Sequence, residues 1–162
     1  MGSSAPTLIG YDGSPAADHA IRAAGRLLAG GPALVVVVWK AGLGLELVEL
    51  TPSTVGLPPA ELDVRTAEEI DLDMYRRARQ LATQGAQVAS EAGFEAQAVA
   101  VADDVDVPVA ETIVDLARNR RAEPIVIGTH GHSHAGNAVL GRISRDVIRH
   151  APCPVLVSGP PD

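Results

Sequence analysis

The chain is poor in aromatic residues and cysteine. Aromatic residues make up 2% of its 162 residues, against 46% hydrophobic residues overall, so the core has to be built from Val, Leu, Ile and Ala. Such a composition favours helices packed on a parallel sheet over an aromatic-rich β-sandwich. The single cysteine, Cys153, excludes an internal disulfide and a thiolate metal cage within one chain. It is compatible with a reducing cytoplasm.

Basic charge and long apolar runs are also scarce. There are 13 Lys and Arg against 20 Asp and Glu, which gives a formal net charge of −7. A chain of this charge is repelled by nucleic acid and by anionic membranes, so neither is an expected partner. No apolar run approaches the roughly 20 residues of a transmembrane helix, and residues 1–6 lack the features of a signal peptide. We therefore expect a soluble, cytoplasmic protein with one domain, residues 1–162.

Apolar runs alternate with helical patterns along the chain. Strands are predicted at residues 8–11, 33–39, 95–102, 124–127 and 155–157, and helices at 15–29, 68–92, 110–119 and 142–150. Between residues 40 and 66, Gly and Pro interrupt every candidate element, which predicts a long loop. The strict alternation predicts a parallel sheet with right-handed crossovers. The third strand has a mixed pattern and is expected at an edge.

A glycine motif follows the fourth predicted strand. Gly128-Thr129-His130-Gly131 comes directly after the apolar run, and Gly141 follows after nine residues, where a helix begins. Glycine lets backbone N–H groups approach an anion, and the helix dipole adds positive charge. The motif therefore predicts a phosphate-binding loop. Taken alone, Gly-x-x-Gly also occurs in ordinary turns, so both interpretations stay open at this point.

The helix after Gly141 has two distinct sides. Three apolar residues recur four apart and should face the core: Val139, Ile143 and Val147. Three arginines fall on another side and should face solvent: Arg142, Arg145 and Arg149.

Both ends of the chain resemble one family. The spacing Gly128-x-x-Gly131, nine residues, Gly141, followed by HAPCPVLV at residues 150–157, resembles the C-terminal signature of the universal stress protein family. The segment TLIGYDGS at residues 7–14 resembles that family's first strand and the acidic residue that closes it. The resemblance covers nearly the whole chain. It implies a Rossmann-like (adenine nucleotide alpha hydrolase-like) α/β sandwich, with a five-stranded parallel sheet in the order 3-2-1-4-5, helices on both faces and a variable loop at 40–66.

The same resemblance implies a function and a site. It implies an ATP-binding stress-response sensor or regulator, with Mg²⁺ carried by the nucleotide, that forms a homodimer through an exposed last strand. Asp12 and Val38 would contact the adenosine part. The ribose and phosphates would be held by the glycine motif and the residues after it: Gly128, Thr129, His130, Gly131, Gly141, Arg142, Ile143 and Ser144. No catalytic base with a positioned partner is evident, so no catalytic residue is assigned and any ATP hydrolysis should be slow.

Arg142 departs from the family pattern. Nucleotide-binding members usually carry Ser or Thr directly after the third glycine, and Ser144, two residues later, does not restore that geometry. A guanidinium group could pair with a phosphate oxygen. It could equally fill the pocket, and the protein would then be an interaction module of the same fold that binds no nucleotide and uses Arg142 and the 40–66 loop for a protein partner.

Two other clusters suggest metal chemistry. His130, His132 and His134 alternate in HGHSH, which would suit a metal-dependent hydrolase. However, no carboxylate lies in that stretch, so no metal site is assigned. The aspartates of the segment DDVD, Asp103, Asp104 and Asp106, could meet a nucleotide's Mg²⁺, but a solvated acidic turn is the expected interpretation.

Overall fold

Strands and helices alternate along the whole chain. The structure, a computed structural model, describes residues 5–43, 59–130 and 140–159, and for residues 59–65 it describes the backbone alone. Its elements in chain order are β1 (Thr7–Gly10), α1 (Pro15–Leu28), β2 (Gly31–Ala41), α2 (Pro59–Glu91), β3 (Phe94–Asp104), α3 (Val109–Arg120), β4 (Ile125–Gly128), α4 (Arg142–His150) and β5 (Val155–Ser158). The five strands form one parallel sheet in the order β3-β2-β1-β4-β5. The predicted fold class and strand order are confirmed, including the edge position of β3.

The sheet is covered on both faces, which explains why its inner strands are apolar at consecutive positions. Ile9 and Val35 belong to a core that also contains residues of α1 and α2. Leu8 and Val36, their neighbours in sequence, point the other way into a core shared with α3 and α4. We call these sides the α1/α2 face and the α3/α4 face.

The direction of winding reverses between β1 and β4. From β1 the chain moves to β2 and β3 with its helices on the α1/α2 face. It then returns to β4, which pairs with β1 (Leu8 opposite Ile125), and continues to β5 with helices on the α3/α4 face. In open parallel sheets a ligand crevice forms outside the carboxyl ends of the strands at such a reversal. The fold therefore places the segments after β1 and β4 at one crevice.

Helix α2 begins earlier than the sequence predicted. The expected loop at 40–66 overlaps the first turns of α2, which start at Pro59. Proline lacks a backbone N–H and suits the first position of a helix, so here it marks a start and not an interruption. Residues 44–58 of the predicted loop, and Val139 of the predicted inward face, lie outside the described residues. Among the described residues, no helix is long and apolar enough to cross a bilayer.

The prediction that Ile143 faces the core is wrong. Its side chain is 47% exposed, and the buried residues of α4 are Ser144 and Val147. The Ser144 hydroxyl bonds to the carbonyl oxygens of Gly128 at 2.8 Å and Thr129 at 3.1 Å. These contacts fix the rotation of the helix about its axis and turn position 144 inward. The three arginines of α4 are exposed, as predicted.

Candidate functional site

The turn after β1 is held by its own side chains. Ser14 is the N-cap of α1, and its hydroxyl accepts a hydrogen bond from the Ala17 N–H at 3.2 Å. The Ser14 N–H donates to Asp12 Oδ1 at 2.9 Å. Gly13, with φ of 77°, supplies the left-handed residue that this turn requires. The Asp12 carboxylate is thereby fixed at the carboxyl edge of the sheet, on an exposed residue.

Tyr11 anchors the strand end directly before Asp12. The residue is 5% exposed, and its hydroxyl donates to Asp18 Oδ1 at 2.8 Å. Its ring lies so close to Gly85 that a Cβ there would be 2.6 Å from the ring. Burial, reinforced by the hydrogen bond to Asp18 and by that residue's negative charge, raises the pKa of Tyr11 well above its ordinary value. The phenol therefore remains a donor, and it joins the end of β1 to the first turns of α1.

Gly128, the first glycine of the motif, is required for packing. It ends β4, and a Cβ at this position would lie 2.9 Å from the Ala16 carbonyl carbon and 2.9 Å from the Ala17 nitrogen. Real Cβ atoms do not approach a backbone this closely, so only glycine lets the start of α1 rest on β4. In the described residues this glycine positions the two halves of the crevice against each other.

Thr129 and His130 follow β4 and carry buried polar atoms. The Thr129 N–H donates to the Ser158 carbonyl at 3.0 Å, and its carbonyl accepts from the Gly141 N–H at 2.7 Å. Thr129 Oγ1 and His130 Nδ1 are buried, and neither has a hydrogen-bond partner in the described part of the chain. A buried polar atom left without a partner costs about 1–3 kcal/mol. Two such atoms on consecutive residues mark this position as a candidate binding site.

The N-terminus of α4 begins at a glycine. Gly141 is the N-cap, and within the described residues no side chain caps the helix. A Cβ on Gly141 would lie 2.9 Å from the Thr129 carbonyl oxygen, so the residue's smallness brings the two segments together. The first N–H groups of a helix have no acceptor within the helix, and with the helix dipole they form an anion site. The Ser144 hydroxyl is already committed to backbone carbonyls and is not available as a donor.

Arg142 lies beside this helix end without blocking it. Its side chain is 88% exposed, and its Nε is 3.9 Å from Asp146 Oδ2, too far for a hydrogen bond. An exposed pair of this length contributes little. The alternative in which the guanidinium group fills the pocket is therefore not the arrangement found.

The carboxyl ends of β2 and β3 extend the same edge. Val38 is half-buried on the α3/α4 face, where it packs against the core. The sequence suggested a solvated acidic turn at the end of β3, and the structure agrees for Asp104 and Asp106, which are exposed. Asp103 differs because it is half-buried, with Oδ2 shielded from solvent and unpaired within the described residues.

The buried side-chain atoms without a partner mark one edge of the sheet. The described residues contain five: Trp39 Nε1, Asp103 Oδ2, Thr112 Oγ1, Thr129 Oγ1 and His130 Nδ1. Four belong to the carboxyl ends of β2, β3 and β4, and Thr112 lies in α3, which begins at that edge. Sequence reasoning did not single out Trp39. The sequence could have indicated it, because Trp39 is the one tryptophan of the chain and lies at the end of a predicted central strand.

Three residues of the predicted nucleotide site and histidine cluster lie outside the described residues: Gly131, His132 and His134. Within the described residues, no group of three His, Cys, Asp or Glu side chains could hold a metal ion. Cys153 is half-buried, and burial raises the pKa of its thiol, which disfavours the reactive thiolate form.

Comparison with known proteins identifies the family. The model of the universal stress protein family matches residues 6–158. A universal stress protein of Thermus aquaticus is 44% identical over 48 residues, which are 30% of this chain and 35% of that protein. The aligned segment thus spans about a third of the length of this curated relative.

Solved structures show the same fold over nearly the full length. The universal stress protein from Archaeoglobus fulgidus in complex with dAMP has 22% identity and a TM-score of 0.59, with 97% of this chain and 99% of that chain covered. A universal stress protein family protein from Arabidopsis thaliana with AMP bound has 14% identity and a TM-score of 0.55, with 97% of this chain and 92% of that chain covered. Because the family model spans almost the entire sequence, the chain belongs to the universal stress protein family.

Proposed function

We propose that this protein binds an adenine nucleotide, ATP above all, in the crevice between the carboxyl ends of β1 and β4, and acts as a stress-response sensor or regulator. The observation that carries the proposal is a pair of buried atoms, Thr129 Oγ1 and His130 Nδ1, that lie beside the N-terminus of α4. Among the described residues these atoms have no hydrogen-bond partner and the helix has no side-chain cap. These atoms are hydrogen-bonding groups at a point where the fold concentrates positive potential.

The phosphates would lie at α4. Backbone N–H groups of its first turn, together with the loop that contains Gly131, would hold the phosphate oxygens. Arg142 starts the helix and is exposed, so its guanidinium group can reach an outer phosphate and pair with two oxygens at once. Mg²⁺ would be carried by the triphosphate itself, which suits an ion that is usually bound through substrate phosphates and water.

The adenosine part would lie toward β1 and β2. Asp12, fixed by the Ser14 N–H, offers a carboxylate to the ribose hydroxyls. Val38 offers an apolar contact to the base on the α3/α4 face. The family relatives solved with dAMP and with AMP bound support a nucleotide of the adenine class.

We propose slow turnover at most, since no described residue pair combines a general base with an orienting partner at this crevice. We further propose a cytoplasmic homodimer that pairs through β5. This strand is half-buried at the edge of the sheet and leaves one side of its backbone open to a second copy.

Analysis of the purified protein for bound nucleotide tests this proposal. The purified protein should show excess absorbance near 260 nm, and chromatography of the denatured sample should release an adenine nucleotide. ATP added to nucleotide-free protein should also raise the melting temperature, because a ligand that binds only the folded state stabilises it. A protein that carries no nucleotide and does not respond to millimolar ATP would instead be the interaction module of the same fold.

A further inference from the structure

Asp103, the next-to-last residue of β3, has a hydrogen-bond donor at one carboxylate oxygen and, within the described residues, none at the other. Oδ1 accepts a hydrogen bond from the Asp104 N–H at 2.9 Å. Oδ2 is buried and has no partner within the described residues. Burying a carboxylate oxygen without a donor is costly, so this atom requires a hydrogen-bond donor from elsewhere.

The lysine opposite Asp103 in the sheet binds backbone carbonyls and not the Asp103 carboxylate. Lys40 stands opposite Asp103 in the pairing of β2 with β3. Its ammonium group donates to the carbonyl oxygens of Asp104, at 3.0 Å, and Val107. No ion pair in the described part of the chain joins Lys40 to Asp103. The lysine therefore ties β2 to the turn after β3, and among the described residues Asp103 Oδ2 has no donor.

The order of the strands fixes which part of a nucleotide would reach Asp103. In the proposed site the phosphates lie at β4 and α4, the ribose lies at Asp12 after β1, and the base lies at Val38 in β2. A nucleotide placed in this way extends across the strand order from β4 toward β3. Val38 pairs with Val101 across the two strands, and both pack on the α3/α4 face. Asp103 is two residues further along β3 than Val101, so its side chain points to the same face as that of Val38. Asp103 thus lies beyond the base, at the end farthest from the phosphates.

We propose that Asp103 accepts a hydrogen bond from the 6-amino group of the base and thereby selects a 6-amino purine. The inference rests on the proposed nucleotide site. A purine with a 6-oxo group would present an acceptor to the carboxylate, and two acceptors facing each other are repulsive. A site built to bond an amino group rejects the analogue that lacks it, because its buried polar atom is then left unpaired.

Calorimetric titrations with ATP and with inosine triphosphate, which has a 6-oxo group, test this selection. Wild type should bind ATP at least about tenfold more tightly than inosine triphosphate, since a hydrogen bond to a charged group of this kind carries that much discrimination. Asp103→Ala should weaken ATP binding by about tenfold and leave inosine triphosphate binding nearly unchanged. In Asp103→Asn the amide N–H can donate to the 6-oxo group, so the preference should disappear. Asp106→Asn, an exposed aspartate of the same turn, is the matched control and should bind as wild type does.

Three results would overturn the inference. Equal affinity of wild type for the two nucleotides, equal losses for both in Asp103→Ala, or an unchanged preference in Asp103→Asn would each show that Asp103 does not select the base. Thermal melts establish that each variant is folded. If Asp103→Ala is too unstable to titrate, the isosteric Asp103→Asn variant provides the test. A wild type that binds neither nucleotide would reject the proposed function itself, and the role of Asp103 with it.

Discussion

The two strand-to-helix junctions at the crevice are built differently. After β1, the Ser14 hydroxyl caps α1. Pro15 occupies the first helical position, where a backbone N–H would have no acceptor within the helix, so proline loses no hydrogen bond there. After β4, α4 begins at Gly141, and no side chain of the described residues caps it. The first helix therefore has a side-chain cap at its N-terminus, whereas within the described residues the second has none. The same topology thus gives one capped helix start and one that we propose as the phosphate site.

The glycine motif joins these two junctions. Gly128 lets the start of α1 rest directly on β4, and Gly141 lets α4 begin against the Thr129 carbonyl. The motif thus contains a glycine required for packing, Gly128, and a glycine that caps a helix, Gly141. An interpretation of the whole motif as a phosphate loop does not distinguish these two roles.

Closing the open junction should have the largest effect. Gly141→Asp places a capping carboxylate at the N-terminus of α4, where it occupies the same N–H groups as a phosphate and repels it. We expect about a hundredfold loss of ATP affinity, or about 2.7 kcal/mol, measured by calorimetry. Gly141→Ala is the matched control, since it adds the same Cβ near the Thr129 carbonyl without the carboxylate. Similar losses in the two variants would attribute the effect to crowding and not to the helix end.

Arg142 should contribute less, and only to the outer phosphates. Arg142→Ala removes the guanidinium group and should weaken ATP binding by about tenfold while changing AMP binding little. The contribution of an exposed cation is screened by salt, so the difference between wild type and variant should shrink as ionic strength rises. Arg149→Ala, at the other end of α4, is the control. A parallel loss for ATP and AMP would contradict contact with the terminal phosphates.

Opening the capped junction should change stability and not affinity. Ser14→Ala removes the cap of α1 and should lower the free energy of unfolding by about 1 kcal/mol, measured by urea denaturation. ATP affinity of the folded variant should remain close to that of wild type. A large loss of affinity with unchanged stability would mean that the first junction also takes part in binding.

The smallest effect concerns pH. Because the folded protein raises the pKa of Tyr11 above its ordinary value of 10.0, the fold holds this proton more tightly than the unfolded chain does. The resulting stability is complete below pH 10.0 and is lost progressively as the pH rises above it. Tyr11→Phe removes this titration, so its denaturation midpoint should fall less between pH 9 and 11 than that of wild type. Identical slopes would contradict the buried donor to Asp18.

These comparisons show which features the sequence could predict. Strand order and the place of the crevice were predictable because apolar runs, glycine spacing and a family resemblance are properties of the chain itself. The face of α4 was not, since it is set by the Ser144 bonds to carbonyls of another element. The Asp103 oxygen that has no partner within the described residues was not predictable either, because it depends on where Lys40 bonds across two strands.

Backbone amide shifts in an ATP titration followed by nuclear magnetic resonance test the central claim most directly. The amides of residues 141–144 at the start of α4 should move and saturate with the nucleotide, while those of residues 16–18 at the start of α1 should stay close to their starting positions. Saturable shifts at α1 with none at α4, or no shift at either helix, would contradict the assignment of the phosphate site to α4.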